Sequence, residues 1–451
     1  MLRILCLALC GLLTGSRADP GAQLRLGMDI MNHEVQSAMD ESHILEKMAA
    51  EAGQPRPGMK PIKGIKDVKV KDVLTPVITL NVVPGEGIFQ CVSTGMTITG
   101  KSFMGGNMEI IVVLNITATN RLLQDEETGL PTFKSEGCEV ILVNVKANLP
   151  SNMLPKVVNK FLDSTLHKVL PGMMCPAIDE VLVYVNKKWA NLYNPGPVGQ
   201  FGTVKYLLAS VPTPTASNIQ VDFSPEVQKQ GGSAIEIADG QTLELPEGYA
   251  EGSSQLLLSA AFLTAELTLL QKSFDVKIKD KKIGKLPQTT KTLADHIPAV
   301  AEAYPKPKPL VTQIKINKPP KVTMKMGKSL LHLHGTLEIF VARRRGKPVS
   351  LFLLEVHFNL KVQFSVRKNQ LHMTTSFNSL LSLSRESSSI GNFNEKDLTD
   401  YITDYLQEGY VPKVEDVLQV GLPLPDFLDM NYNLAVLDVA ENTLVLDLKL
   451  N

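Results

Sequence analysis

The chain of 451 residues is poor in aromatic side chains. Phe, Trp and Tyr together make up 6%, with a single Trp. Stacking on nucleic-acid bases or sugar rings leans on exposed aromatics, so neither is indicated as its main activity. Charge of one sign is also lacking: 46 basic residues balance 46 acidic ones. A nucleic-acid partner would need a local patch, since no global excess exists to attract one. No apolar run approaches the roughly 18 residues that a membrane-spanning helix requires; Ile110 to Leu114 is typical of the longest. The catalytic signatures are missing as well. There is no HExxH, no phosphate-binding loop, no CxxC pair and no GxSxG elbow. The sequence therefore points away from an enzyme and from any bound cofactor. What is present is 44% hydrophobic residues with 20% charged, a globular composition long enough for two or three domains.

The first 18 residues read as a secretory signal. Arg3 precedes an apolar stretch from Ile4 to Leu13, and Ser16-Arg17-Ala18 puts small residues where a signal peptidase reads. The mature chain would begin Asp19-Pro20-Gly21. Of the five cysteines, Cys6 and Cys10 leave with the signal, and Cys91, Cys138 and Cys175 remain. An oxidising lumen favours one disulfide and one free thiol. Three pairings are possible. Cys138 opens a strand-like run and Cys175 follows a helix able to fold back on it, while Cys91 sits in an apolar run as a small core residue. That favours Cys138 with Cys175, and no zinc-ligand spacing competes.

Periodicity divides the chain in two. Leu24, Met28, Met31, Val35, Met39 and Leu45 have near-helical spacing and predict an N-terminal amphipathic helix over 21–50. Strand patterns follow at Val77 to Val83, Ile88 to Val92, Met96 to Thr99, Met108 to Thr117 and Val140 to Val145. A helix begins at Pro155 and is expected to stop at Pro171-Gly172, with another from Ala177 to Trp189. Residues 224–248, rich in Gln, Gly, Glu and Ser, read as a linker between domains 19–223 and 249–451. The second half repeats the scheme: a helix from Ala260 to Lys272, then strands. Among these, the run Leu351 to Val366 alternates strictly from Glu355 onward, with Val356, Phe358, Leu360, Val362, Phe364 and Val366 on one face. The last helix, Glu395 to Leu406, presents Leu398, Tyr401, Ile402 and Tyr405 before Pro412 interrupts it. The order of elements indicates a duplicated α+β architecture.

Few polar features stand out. His332 and His334 lie two apart on one face of a strand, a possible ligand pair, but no third ligand is visible. They read as surface positions, as do His357 and His372, and no metal is expected. Asn115-Ile116-Thr117 is the one N-glycosylation sequon. Residues 303–347 carry eleven basic side chains against Glu338 alone, ending in the hairpin tip Arg343, Arg344, Arg345 and Lys347. Such a stretch could meet anionic lipid headgroups at roughly 1 kcal/mol per near-surface charge. An earlier segment, Arg56 to Asp72, is milder, with six basic residues against Asp67 and Asp72.

Taken together these residues resemble the BPI/LBP/PLUNC family, and within it the long PLUNC branch, BPI fold-containing family B. The resemblance rests on the Asp19-Pro20-Gly21 start before an amphipathic segment and on the Cys138 and Cys175 positions around a Pro-initiated helix. Ser389-Ile390-Gly391-Asn392-Phe393 and the Gly421 to Pro425 run are similar to the family's C-terminal signatures. It covers essentially all of 19–451. The resemblance implies an elongated α+β fold of two domains, each a highly twisted antiparallel barrel around long helices, joined by a central sheet. It implies apolar channels for phospholipid or other acyl chains. Met28, Met31, Val35, Val157, Val158, Phe161, Leu162 and Leu166 would wall the N-terminal channel, and Leu398, Tyr401, Ile402 and Tyr405 the C-terminal one.

The expectation is thus a non-enzymatic lipid-binding or lipid-transfer protein of the secretory pathway, secreted or held in the endoplasmic reticulum lumen, with peripheral contact to anionic membranes. One rival is an innate-defence binder of bacterial lipopolysaccharide. The antibacterial relatives carry a strongly cationic, aromatic-interleaved N-terminal tip, and here that region is only mildly basic and lacks Trp. The other rival is an interaction protein with vestigial pockets.

Overall fold

The computed structural model describes residues 21–41, 65–102, 106–127, 129–148, 155–238, 242–343, 345–427 and 430–449. The predicted signal (1–18), residues 42–50 of the predicted N-terminal helix and Arg344 lie outside them. The first described element is a strand, β1 (Ala22–Gly27), followed by helix α1 (Met28–Glu41). The expected helix over 21–50 is thereby corrected at its start. Ala22, Leu24 and Leu26 are fully buried with period 2, and β1 lies hydrogen-bonded between two strands of a central sheet.

Five strands then form the N-terminal sheet: β2 (Ile65–Val73), β3 (Val77–Val83), β4 (Gly87–Ser102), β5 (Asn107–Gln124) and β6 (Pro131–Asn148). The short β2 and β3 share one edge of β4, and β4, β5 and β6 pair antiparallel in sequence order. Their alternation is of the half-buried kind: Met108, Ile110, Val112, Leu114 and Ile116 are buried, and the residues between them face outward. Cys91 is on the outward side, half-buried and free, not in the core as expected; Gln90 and Val92 take the inward positions.

Helix α2 (Pro155–Trp189) packs across β6. Two helices were expected here, separated at Pro171. The helix instead continues through both Pro171 and Pro176. Each proline costs a backbone hydrogen bond, but the buried row Leu166, Leu170, Met174, Ile178 and Leu182 keeps i+4 spacing across the interruption. Cys175 within that stretch is tied to Cys138 of β6, with Cα atoms 5.9 Å apart. Tertiary packing and a covalent tie thus hold a segment that local propensity would break.

The central sheet is completed by β7 (Gly196–Val198), β8 (Gly202–Leu208), β9 (Thr213–Pro214), β10 (Asn218–Lys229), β11 (Ala234–Ile235) and β12 (Ser254–Ser259), with two strands from the far C-terminus. Residues 224–229, assigned to the linker, are the second half of β10 and pair with β8. Pro225 and Val227 are buried there, so polar composition concealed a strand with one wet face.

Helix α3 (Ala260–Leu270) leaves β12 with Ser259 as N-cap, its Oγ accepting from Phe262 N–H at 3.0 Å. After β13 (Val276–Ile278), β14 (Lys282–Ile283), β15 (Leu286–Pro287) and the short helices α4 (Thr290–Ala294) and α5 (Pro298–Ala303), the second large sheet follows. Short β16 (Leu310–Ile316) and β17 (Lys321–Lys325) share one edge of β18 (Lys328–Val341). Then come β19 (Val349–Arg367) and β20 (Gln370–Ser388), each 19 residues long. Two short strands on a long one, two more long ones, then helix: this is the N-terminal layout again. The closing helices α6 (Thr399–Tyr405) and α7 (Val411–Leu418) are joined by a π-turn, Leu406–Tyr410. The wider turn absorbs Pro412 without ending the helical run. Strands β21 (Leu422–Pro423), β22 (Val436–Ala440) and β23 (Thr443–Leu448) finish the chain, β23 pairing with β12 in the central sheet and β22 with β23 at its edge.

Candidate functional site

Each half encloses an apolar interior between a curled antiparallel sheet and helices, and the two interiors are built differently. In the N-terminal half, Met31, Met96, Met108 and Met174 all point inward and are at most 4% exposed. They stand among Ile88, Val92, Ile98, Ile110, Leu114, Leu166 and Ile178. Helix α1 packs on β3 and α2, bringing Met31 and Val35 to the same interior as Leu166; Met28 is partly buried at its margin. Val157, Val158, Phe161 and Leu162 belong to the first turns of α2, but their side chains fall outside those described. Methionine has three rotatable bonds and a polarizable sulfur, so an interior rich in it packs adaptably.

One polar spot interrupts this lining. Gln90 of β4 and Asn120 of β5 face inward and are 3% and 2% exposed. Asn120 Nδ2 donates to Gln90 Oε1 at 2.9 Å. Gln90 Nε2 and Asn120 Oδ1 have no hydrogen-bond partner. A buried donor and a buried acceptor left open cost about 1–3 kcal/mol each. Sequence periodicity placed Ile88 to Val92 in a strand but gave no reason to single out these two amides. Their shared inward direction comes from the pairing of β4 with β5.

The C-terminal interior is anchored by tyrosines. Leu398, Tyr401, Ile402 and Tyr405 are all buried on one side of the final helical run, as their spacing predicts. Tyr401 Oη donates to Gln288 Oε1 at 3.2 Å, Tyr410 Oη to the Phe274 carbonyl at 2.9 Å and Tyr432 Oη to the Pro425 carbonyl at 2.9 Å. Desolvation raises the phenol pKa of Tyr401, Tyr405, Tyr410 and Tyr432 far above 10, so all four remain neutral donors. Between the halves, Trp189 stacks edge-on with Phe133 at 5.6 Å and with Phe427 at 4.5 Å, joining α2 to the C-terminal segment.

The predicted surface features take definite places. Asn115 sits on the outward face of β5, where its Oδ1 accepts from Ser93 Oγ at 2.7 Å. Exposed Ile111, Val113, Ile141 and Val143 surround it. Arg343, Arg345 and Lys347 are exposed in the β18–β19 hairpin. Because Leu310 pairs with Val341, exposed Lys306 and Lys308 come to the same end of the sheet. The turn carrying Lys325 and Lys328 lies at the opposite end of β18, so the basic stretch seen in the sequence is split between two places. Among the described residues, no helix is long and apolar enough to cross a membrane.

Comparison with known proteins agrees with this construction. Residues 23–185 match the N-terminal domain of the LBP / BPI / CETP family and residues 200–451 its C-terminal domain. The chain is 78% identical to BPI fold-containing family B member 6 of Homo sapiens over 453 residues, covering 100% of each chain. It is 70% identical to the Mus musculus protein of the same name over 451 residues, again with 100% of each covered. Among solved structures, lipopolysaccharide binding protein matches with a TM-score of 0.62 over 95% of this chain and 98% of that one. Sequence identity there is 19%, so that likeness speaks for the fold alone.

Proposed function

The chain belongs to the LBP/BPI/CETP family, whose members bind lipid without catalysing a reaction, and on that premise we propose that it carries phospholipid or a similar acyl lipid. The observation that carries the reading is the N-terminal interior: a methionine-rich apolar lining with one buried donor and one buried acceptor unspent. An acyl chain needs only apolar surface, gaining ~0.8 kcal/mol per buried CH₂. The ester carbonyl or hydroxyl at the head of such a lipid is the chemistry that Gln90 Nε2 and Asn120 Oδ1 would accept. Met28, Met31, Val35, Val157, Val158, Phe161, Leu162 and Leu166 are proposed as walls of that interior. Leu398, Tyr401, Ile402 and Tyr405 are proposed for the C-terminal one.

Delivery to a membrane is assigned to the basic end of the C-terminal sheet. Arg343, Arg345 and Lys347, with Lys306 and Lys308 beside them, form a cationic tip suited to anionic headgroups, to which the sequence adds Arg344. The Cys138–Cys175 disulfide fits a secretory compartment, consistent with removal of residues 1–18 and a glycan at Asn115. The two-domain division is kept as a proposal, with the linker of 224–248 shortened to begin after Lys229, where β10 ends.

The test is native mass spectrometry, with lipid extraction, of protein purified from eukaryotic cells. Stoichiometric phospholipid supports the carrier reading. Protein that emerges empty and takes up no lipid from phosphatidylcholine or phosphatidylserine vesicles refutes it.

A further inference from the structure

On the outward face of the C-terminal sheet, away from the lipid interior, three metal-ligating side chains converge. His334 of β18 and His357 of β19 are directly opposite each other in the strand register. Glu355, two residues before His357, projects from the same face. His334 Nε2 lies 2.7 Å from Glu355 Oε1, and His357 Nε2 lies 3.6 Å from the same oxygen. The imidazole centroids are 3.6 Å apart. All three ligand atoms fall within 4.8 Å of one another. His357 Nε2 is buried and has no hydrogen-bond partner. A ring nitrogen in that position is either a proton with no acceptor or a lone pair with nothing to receive it.

From this geometry we infer a divalent metal site, of the kind that takes Zn²⁺, formed by His334, Glu355 and His357. Two imidazole nitrogens and one carboxylate oxygen are a known three-ligand zinc set with an open fourth position. The nitrogen donors disfavour Ca²⁺ and Mg²⁺, which prefer all-oxygen surroundings. Zinc with ligands at about 2.0–2.1 Å in tetrahedral array separates them by roughly 3.3 Å. The 3.6 Å contact already approaches that, and the 2.7 Å contact needs to open by well under 1 Å. The ion would give the unpartnered His357 nitrogen its acceptor. The carboxylate is oriented from behind: Ser384 Oγ donates to Glu355 Oε2 at 3.4 Å. The hydrogen bond from His334 keeps Glu355 ionised, below its ordinary pKa. The side chains are half-exposed or less, at 16%, 38% and 36% for His334, Glu355 and His357, so an ion can enter and a water can hold the fourth position. The site stands on two paired strands, a rigid support. The inward neighbours Val356 and Phe358 point to the opposite face of the sheet. Metal binding is therefore independent of lipid binding. The sequence offered His332 and His334 as a pair and no third ligand. His332 instead bonds Thr323 Oγ1 at 2.7 Å, and the partners of His334 come from the next strand.

The experiment is calorimetric titration of ZnCl₂ into tag-free, chelator-dialysed full chain at neutral pH. One equivalent should bind in the micromolar range or tighter. His334→Gln and His357→Gln should each weaken binding at least about tenfold. His167→Gln, which removes a histidine on α2, should change nothing. Circular dichroism of each variant establishes that it is folded. Absence of binding in the unaltered chain, or unchanged binding in the folded double variant H334Q/H357Q, overturns the assignment.

Discussion

Glu266 should make the protein less stable as the pH rises from 5 to 7, and Gln at that position should abolish the effect. Glu266 lies on α3, which is apolar on nearly every side and wedged between β10 of the central sheet and β17 of the C-terminal half. The residue is 1% exposed and its Oε1 has no hydrogen-bond partner. Burial raises its pKa well above the ordinary 4.5. Tyr206, which a charge on Glu266 would oppose ionising, is held neutral by burial and donates to the Pro423 carbonyl at 2.9 Å. Among the described residues burial alone sets the shift, with no cation offsetting the charge, so the native state keeps the proton that the unfolded chain loses above 4.5. More protons are then bound in the native than in the unfolded state, and stability falls with pH at up to about 1.4 kcal/mol per unit. The full contribution is present below pH 4.5 and is lost progressively up to the raised native value. Between pH 5 and pH 7 the loss comes to about 2.6 kcal/mol if Glu266 stays neutral throughout. Gln has nearly the same shape and does not titrate. The stability difference between Glu266→Gln and the parent should therefore grow by that amount across the interval, read by urea denaturation or scanning calorimetry at half-unit steps. Exposed Glu386→Gln should run parallel to the parent. Parallel curves for Glu266→Gln as well would mean that Glu266 is ionised in the native state, and the argument from burial would fail.

Other expectations are simpler to check. Replacing Cys138 and Cys175 together by Ser should cost about 2–5 kcal/mol, seen as a lower melting temperature, because the bridge restrains the unfolded chain and anchors a proline-interrupted helix; an unchanged melting temperature would show the bridge to be dispensable. Reversing Arg343, Arg345 and Lys347 to Glu should weaken co-flotation with phosphatidylserine vesicles by about two orders of magnitude, at ~1 kcal/mol per lost contact, and binding of the parent should fall with salt. Equal flotation of both proteins would remove the basic tip from the mechanism. Gln90→Leu with Asn120→Leu should leave the lipid-free protein as stable or more so, since both unpaired groups go together, yet reduce the lipid recovered with it; full loading would show that the amides do not hold the headgroup. Expression in mammalian cells should give a glycan removable by amidase and absent from Asn115→Gln, and a parent mass unaltered by the enzyme would exclude use of the sequon.

How far the sequence could be read depended on whether local and tertiary forces agreed. Val77 to Val83 and Leu351 to Val366 were legible because their alternation matches a sheet with one buried face. The pair Cys138–Cys175 was legible from its flanking elements and from the family resemblance, and the structure contains it. Strand β20 was not legible. Bulges opposite Leu353/Leu354, His357/Phe358 and Asn359/Leu360 shift its register, so Leu371, Met373 and Thr375 point inward while Leu381 is displaced to the surface at 59% exposure. A period-2 pattern cannot survive three such shifts. Strand β1 was lost for a different reason: Leu24 satisfies both periods, and α1 begins at Met28 with no loop between. The Gln90–Asn120 pair and the His334–Glu355–His357 cluster were illegible because each joins two strands, and strand register is a tertiary fact.

The duplicated layout makes the contrast between the two interiors informative. Both halves set two short strands and three long ones against helices, so the backbone alone gives no reason for different contents. The side chains supply one. In the C-terminal half the hydroxyls of Tyr401, Tyr410 and Tyr432 are each spent on a fixed partner, and these rings fill space with little freedom to move. In the N-terminal half the bulk comes from Met31, Met96, Met108 and Met174, and an inward amide pair remains half unsatisfied, where, among the described residues, the C-terminal interior leaves a single inward hydroxyl, Thr375 Oγ1, without a partner. A core selected for stability alone would remove that pair, since two apolar replacements would cost nothing. Its presence in an adaptable lining is accounted for when something with a polar head and a flexible apolar body occupies the space, and the N-terminal half is accordingly where cargo should be sought first.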